Sequence, residues 1–318
     1  MDNGMKISFV IPTYNEEGNV GLLAEKIIAE TDNLFDYEMI FVDDGSTDNT
    51  LQILKLLNKN NPKIHYISLS RNFGHQNALR AGIDYANGDC VISMDADLQH
   101  PPSLIRPMID KWLEGHHIVY TVREEDNDLG FLKRKTSKIF YKFINFLSDT
   151  KIEAGTADFR LIDKKVVDII KNTSDSPLFL RGLIPRLHFK QYKISYQPDK
   201  RYSGDTKYSL KRMIFLALNG ITSFSVKPLR WLLIIGATVS FLSFCYGSYA
   251  IFVYFFTKKT VSSLTFIICS ILFIGGLQLL LLGVIGEYLR KLFIQAKGRP
   301  FYVIEERDKF LNAGNSKN

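Results

Sequence analysis

The chain is 318 residues long, 46% hydrophobic and 23% charged, with a formal net charge of +7; this composition is globular and supplies core enough for one large domain or two moderate ones. The charge is uneven: residues 1–100 hold 7 Lys or Arg against 15 Asp or Glu, a balance of −8 that leaves +15 for the remainder, so a cation-binding part precedes one that meets anions such as phosphates, a membrane surface or nucleic acid. Cys90, Cys245 and Cys269 show no metal-ligand spacing and read as inert, reduced thiols, while Met1 to Lys6 carries no secretory signal, so the first domain is expected to stay in the cytoplasm.

Ile7 to Ile11 is an apolar run, interrupted by Ser8 and closed by Pro12, the pattern of a buried central strand. The polar loop Thr13 to Asn19 follows, and Val20, Leu23, Ala24, Ile27 and Ile28 then recur at helical spacing. The unit repeats, with Met39 to Val42 as strand, Asp43 to Asp48 as loop and Thr50 to Asn58 as helix. Ile64 to Leu69 makes a third strand and Asn77 to Ala86 a third helix. Asn87-Gly88-Asp89 turns into a fourth strand from Cys90, which runs into Asp95 and Asp97 and stops at Pro101-Pro102.

Strands alternating with helices predict a mostly parallel α/β sheet whose ligands bind beyond the carboxyl ends of its strands. The polar clusters stand at those ends: Glu16, then Asp43 and Asp44, then Arg71 and Asn72, then Asp95 and Asp97. Strand alternation projects Asp95 and Asp97 to one side, where they can hold a divalent cation directly or through water; a turn that simply favours Asp is the alternative. The first strand is not followed by G-x-G-x-x-G, and G-x-x-x-x-G-K-[ST] occurs nowhere. A nucleotide is then left to carboxylates and a cation.

Downstream, Ser103 is placed to cap a helix to about Glu114, and Ile118 to Val122 reads as a fifth strand ending at Arg123. From Phe131 to Leu147 an apolar stripe is studded with Lys133, Arg134, Lys135, Lys138 and Lys142, a pattern that suits a membrane-surface helix or an ordinary helix packed on the sheet. Asp158 stands alone before an apolar strand, the usual setting of a turn residue. Arg181, Arg186 and Lys190 are assigned to a short helix, and Ser209 to Phe224 reads as an interfacial helix.

Trp231 to Phe256 and Ser262 to Gly286 are free of charge, each long enough to cross a bilayer core of about 30 Å. Lys227, Arg230, Arg290, Lys291, Lys297 and Arg299 outnumber Lys258 and Lys259 of the intervening loop, so the expected hairpin has both ends in the cytoplasm. Because the basic residues gather beside the apolar runs, anionic lipid accounts for them and nucleic acid falls away. After Pro300 the polar tail reads as mobile. The expected organisation is a catalytic domain over 1–208, an interfacial helix over 209–229, two spans within 230–288 and a cytoplasmic tail over 289–318.

Four motifs carry a family likeness: Val10-Ile11-Pro12-Thr13-Tyr14-Asn15-Glu16, Val42-Asp43-Asp44-Gly45-Ser46-Thr47-Asp48, Arg71-Asn72-Phe73-Gly74 and Asp95-Ala96-Asp97-Leu98-Gln99-His100-Pro101. In this order they resemble the family-2 glycosyltransferases of GT-A (Rossmann-like) fold. More narrowly, they resemble the branch of bactoprenol glucosyltransferases and dolichol-phosphate mannose synthases. Arg201 to Tyr208 is similar to that branch's segment ahead of its membrane region, with Thr206 where the branch has Ser.

The resemblance implies that Pro12, Tyr14, Glu16 and Asp44 line a nucleoside pocket, with Asp95 and Gln99 at the nucleotide sugar. It implies Mg²⁺ or Mn²⁺ on Asp95 and Asp97, with Gln99 as third ligand. It also implies an acid facing the acceptor, which falls on Asp158 and makes Asp158 and Asp97 the catalytic pair. Arg123, Arg134 and Lys135 are candidates for a lipid phosphate, and Arg201 and Lys207 for either phosphate.

The expected protein is a multi-pass enzyme of the plasma (inner) membrane, which leaves self-association into a homo-oligomer open. It moves a hexose, glucose by resemblance, from a nucleotide sugar such as UDP-glucose to a polyprenyl phosphate, inverting the anomeric centre. The alternatives are GDP-mannose as donor, a non-catalytic membrane anchor that binds nucleotide sugars, and a processive synthase. Lys227-Pro228-Leu229-Arg230-Trp231 departs from the Q-x-x-R-W that a processive synthase would carry.

Overall fold

The computed structural model describes residues 4–31, 35–124, 155–173, 180–197, 264–298 and 300–312, with scattered positions between 231 and 256. The chain divides into two compact units, one of Met1–Lys138, Ile152–Tyr208 and Arg299–Asn318, the other of Ile139–Lys151 and Ser209–Gly298.

The first unit runs β1 (Lys6–Thr13), α1 (Val20–Thr31), β2 (Asp36–Asp43), α2 (Thr50–Asn60), β3 (Ile64–Leu69), α3 (His75–Tyr85) and β4 (Cys90–Ser93). It continues with α4 (Ile105–Leu113), β5 (Ile118–Arg123), β6 (Thr156–Asp163), α5 (Lys164–Asn172), α6 (Leu180–Arg186), β7 (Gln191–Tyr196) and β8 (Ile304–Arg307). The eight strands form one sheet in the order β7-β5-β6-β4-β1-β2-β3-β8. β4, β1, β2 and β3 are parallel, whereas β6 lies antiparallel between β4 and β5, and β8 antiparallel on β3.

Alternation along the strands splits the core across the two faces. Ile7, Phe9 and Ile11 of β1, with Met39 and Phe41 of β2, face α1, α2 and α4 through Leu23, Ile27, Leu54, Ile105 and Met108. Val10, Ile40 and Val42 face the other way, onto Ala78, Leu79 and Ile83 of α3 and Val166 and Ile170 of α5. A strand covered on both faces is mostly apolar, which is why Ile7 to Ile11 of β1 is apolar but for Ser8, whose hydroxyl is satisfied by Glu38. Gly82 lets α3 lie close to the sheet, since a Cβ there would sit 2.2 Å from Val10 Cγ1.

Several boundaries differ from those expected. Pro12 lies inside β1 and does not close it; pairing with β4 ends at Val10, so Pro12 falls where β1 is bonded only to β2. Ser103 is not a helix cap but part of a 3₁₀ turn, Pro102–Leu104, ahead of α4. Asp158 is no turn residue, because β6 already begins at Thr156. Lys190 lies beyond α6, ahead of β7.

The tail departs most from expectation, for residues 304–307 are the edge strand β8, followed by a 3₁₀ turn at Lys309–Asn312. Side chains hold it: Tyr66 Oη donates to Glu306 at 2.9 Å, His65 Nδ1 lies 2.7 Å from Asp308 Oδ2, and Tyr302 Oη donates to Asp84 on α3 at 3.0 Å.

In the second unit the described positions between 231 and 256 are all helical, and α7 (Leu264–Ala296) is a single long helix. Where two spans were expected, one stretch among the described residues, Phe273–Arg290, is long and apolar enough to cross a membrane. Ile271, Phe273, Leu279, Leu282, Leu289 and Phe293 of α7 are all exposed. The segments 131–147 and 209–224 lie outside the described residues.

At the amino ends of the strands, opposite the site, Glu38 gathers Ser8 Oγ at 2.6 Å, Asn87 N–H at 2.9 Å and the Lys6 ammonium. Burial alone would raise the Glu38 pKa; these hydrogen bonds outweigh it and hold the carboxyl below its ordinary value. A depressed acid stabilises the fold above its unfolded pKa, and that stability is lost as pH falls through the folded value. Glu38→Gln is therefore expected to cost about 1–3 kcal/mol at pH 7 in urea unfolding followed by tryptophan fluorescence. The gap to wild type should close in acid, where wild-type Glu38 is itself protonated; an equal gap at pH 7 and in acid would contradict this.

Candidate active site

The four motif loops converge beyond the carboxyl ends of β1 to β4, and short-range sterics decide how. Gly45 follows Asp44 with φ +70°, and a Cβ there would lie 2.6 Å from the Arg71 carbonyl carbon and 2.8 Å from Asn72 N. Only glycine permits the loop after β2 to press on the backbone after β3. Asp44 completes the joint, accepting the N–H of Phe73 at 2.7 Å and of Gly74 at 2.9 Å. Gly74, with φ +94°, is the residue from which α3 starts.

Burial raises the Asp44 pKa, the pull of these two N–H groups notwithstanding. The expected nucleoside-pocket acid is thus 3% exposed, with both oxygens engaged in holding the neighbouring loop. Across the same joint, Asn15 at φ +56° accepts the N–H of Thr47 at 2.8 Å, and Glu16 N–H donates to Thr50 Oγ1. Pro12 is buried, Tyr14 is 45% exposed, and Glu16 accepts from Asn19 Nδ2 at 2.5 Å.

β4 delivers Asp95 and Asp97. Asp97 Oδ1 accepts Gln99 N–H at 3.1 Å across Leu98, whose φ of +60° is costly for a branched side chain. Asp95 N–H donates to His100 Nδ1 at 3.1 Å, and His100 Nε2 lies 3.7 Å from Asp95 Oδ2. His100 is 3% exposed and stacked on Phe159. Burial lowers its pKa, so it is a neutral ring with its proton on Nε2.

Asp95 Oδ1 is buried yet accepts no hydrogen bond. Gln99 Oε1 accepts from the exposed Arg123 guanidinium at 2.5 Å, so the expected third ligand and the expected phosphate-binding arginine engage each other. Among the described residues no three His, Cys, Asp or Glu side chains gather as a metal cage.

Asp158 approaches from β6. It is 6% exposed, its Oδ1 takes Arg160 Nη2 at 3.0 Å, and its Oδ2 takes Gln76 Nε2 at 3.2 Å. His75 Nε2 lies 3.5 Å from the same Oδ2. A carboxylate facing a guanidinium that is 1% exposed is ionised, because neutralising it would leave the arginine buried without its counter-charge.

The site therefore brings together Glu16, Asp44, Asp95, Asp97, Gln99, Arg123 and Asp158. Arg134, Lys135, Arg201 and Lys207 lie outside the described residues. Sequence reasoning missed His75, Gln76, His100 and Arg160. Arg160 left a signal, since it stands two residues from Asp158 on the same face of a strand whose interior is otherwise apolar from Ala157 to Ile162.

Gly45→Ala places a methyl against backbone that cannot yield and forces φ > 0 on a residue that avoids it. We expect it to lower the unfolding midpoint and to cut the activity of the site by about tenfold or more, as misplacement by about 1 Å does; a variant with wild-type stability and rate would refute the joint.

The family model described as glycosyl transferase family 2 matches residues 8–170. A prophage bactoprenol glucosyl transferase homolog of Escherichia coli is 39% identical over 307 residues, covering 96% of this chain and all of the relative. A bactoprenol glucosyl transferase of Shigella phage SfX is 38% identical, covering 95% of this chain and 100% of its own, and an uncharacterized glycosyltransferase of Bacillus subtilis is 39% identical, covering 96% and 95%. Among solved structures, a mannosyltransferase of Pyrobaculum calidifontis in complex with GDP-Man and Mn²⁺ is similar at a TM-score of 0.49 and 17% identity, covering 70% of this chain and 64% of that one. The motifs that meet at the strand ends all fall within the matched residues, and the sheet they crown is the GT-A-like α/β sheet of that family. The chain belongs to glycosyl transferase family 2.

Proposed function

We propose that the protein transfers a hexose, in the first place glucose, from a nucleotide sugar to a polyprenyl phosphate at a membrane. The observation that carries this reading is the extent of the likeness to bactoprenol glucosyl transferases, which takes in 96% of the chain and therefore the exposed apolar helix α7 as well as the sheet. An apolar surface of that length is foreign to water and suits a bilayer. The two-span hairpin with cytoplasmic ends, the interfacial helix and the plasma-membrane location belong to this proposal, and so does the lipid acceptor.

A divalent cation fits the residues present. Asp95 offers a buried carboxylate oxygen that accepts no hydrogen bond, Asp97 stands beside it, and hard oxygen donors suit Mg²⁺ or Mn²⁺. With few protein ligands, most of the coordination would come from water and the donor's phosphates. Bound there, the cation would supply charge to a leaving nucleoside diphosphate. Pro12, Tyr14 and Glu16 border the nucleoside, with Asp44 behind them. Arg123, exposed beside Gln99 and Tyr196, is a candidate to turn to a phosphate, and Arg134, Lys135, Arg201 and Lys207 are the further candidates.

Asp158 acts in this reading as a fixed anion that orients the acceptor side and not as the base. Both its oxygens already receive donors from Arg160 and Gln76, and a phosphate monoester is largely dianionic at pH 7, its second pKa being about 6. The phosphate oxygen therefore attacks without a proton acceptor and inverts the anomeric centre.

The test is transfer of labelled sugar to undecaprenyl phosphate by the detergent-solubilised chain, with UDP-glucose and GDP-mannose compared. UDP-glucose should be preferred. Asp97→Ala should lower the rate by about 100-fold or more, and an intact rate would remove the metal assignment. Asp158→Asn, which turns an amide toward Arg160 or Gln76, should cost about 10- to 100-fold, and an unchanged rate would take Asp158 out of the site. Absence of transfer to any polyprenyl phosphate would refute the function.

A further inference from the structure

His75 opens α3 with its ring 41% exposed, and its Nε2 lies 3.4 Å from Asp95 Oδ1 and 3.5 Å from Asp158 Oδ2. Two carboxylate oxygens facing one ring nitrogen require that nitrogen to carry a proton, since a bare lone pair would be repelled by both. Both distances exceed those of a full hydrogen bond, so the ring nitrogen stands between the two oxygens without a full bond to Asp95.

The rest of each carboxylate's surroundings makes the division unequal in consequence. Asp158 has Arg160 on one oxygen and Gln76 on the other, whereas Asp95 Oδ1 has no full hydrogen bond beside the 3.4 Å approach of His75 Nε2. Asp95 is thus the partner that can be drawn away. His75 itself is held from behind, because Asp44 fixes Phe73 and Gly74 immediately before it.

We infer that His75 is a positioning residue whose Nε2–H is shared between Asp95 on the donor side and Asp158 on the acceptor side. Were Asp95 to hold a cation, the ring N–H would be left to Asp158. Filling the donor side thereby fixes the acceptor-side acid, a coupling that favours donor before acceptor. This rests on the roles given above to Asp95 and Asp158.

The experiment uses the full chain in detergent, labelled with ¹⁵N-histidine, together with His75→Gln and His75→Asn. Glutamine places an amide N–H near the position of Nε2; asparagine falls one methylene short. The His75 signal, identified by its loss in His75→Gln, should show a protonated Nε2 and shift on addition of Mg²⁺ with UDP. That shift should shrink in Asp158→Asn. In transfer assays His75→Gln should keep kcat within about threefold, while His75→Asn should lose about tenfold with the donor KM changed less than about threefold. A bare Nε2, a shift indifferent to Asp158→Asn, or equal kcat in the two His75 variants would overturn the inference. If wild type transfers no sugar, the proposed function fails while the resonance experiment still decides the bridge.

Discussion

The site depends on one close approach, that of Gly45 to the backbone of Arg71 and Asn72, locked by the Asp44 carboxylate on Phe73 and Gly74. Parallel strands leave their loops side by side but do not by themselves set the distance between them. Here the distance is set by the absence of a Cβ and by two backbone hydrogen bonds to a buried charge. α3 can begin nowhere else, so His75 and Gln76 arrive at Asp158, and through it the acids of β4 and β6 are brought into one constellation. Asp44 is thus better understood as the fastening of the site than as a wall of it.

The charges around that fastening are arranged in pairs of unequal mobility. Asp158 and Arg160 are both buried and bound to each other, a pair that is costly to break and so holds a fixed field. Asp95 keeps an oxygen without a full hydrogen bond, and the exposed Arg123 reaches the side chain of Gln99 and lies beside the Tyr196 hydroxyl. The fixed pair suits an orienting role, and the loosely held groups suit contact with phosphates and a cation that come and go. His100 steadies the backbone beneath Asp95 by accepting its N–H on Nδ1.

Much of the sheet was legible because both-face burial makes β1, β2 and β3 mostly apolar, and because the acids stand where such strands end. What escaped were features fixed from outside their own segment. Periodicity began α3 at Asn77, since the first turn carries the polar His75 and Gln76 and is held in place by Asp44 across the loop. β8 was invisible for the same kind of reason. Its Glu306 and the following Asp308 read as a polar tail, yet they are held by Tyr66, Lys55, His65 and Asn58. Asp158 looked solitary because its partners Gln76 and Arg160 matter only once the strand is folded. The family motifs named the acids of the site; the neighbours that determine what each acid can do required the structure.

The most direct test of the account is the linkage and stoichiometry of the lipid formed when the purified chain meets UDP-glucose, undecaprenyl phosphate and Mg²⁺, followed by mass spectrometry and carbon NMR. The account predicts a β-linked glucosyl phosphate lipid, with one UDP released for each lipid formed. Release of UDP with free glucose and no lipid product, or an α-linked lipid, would contradict it.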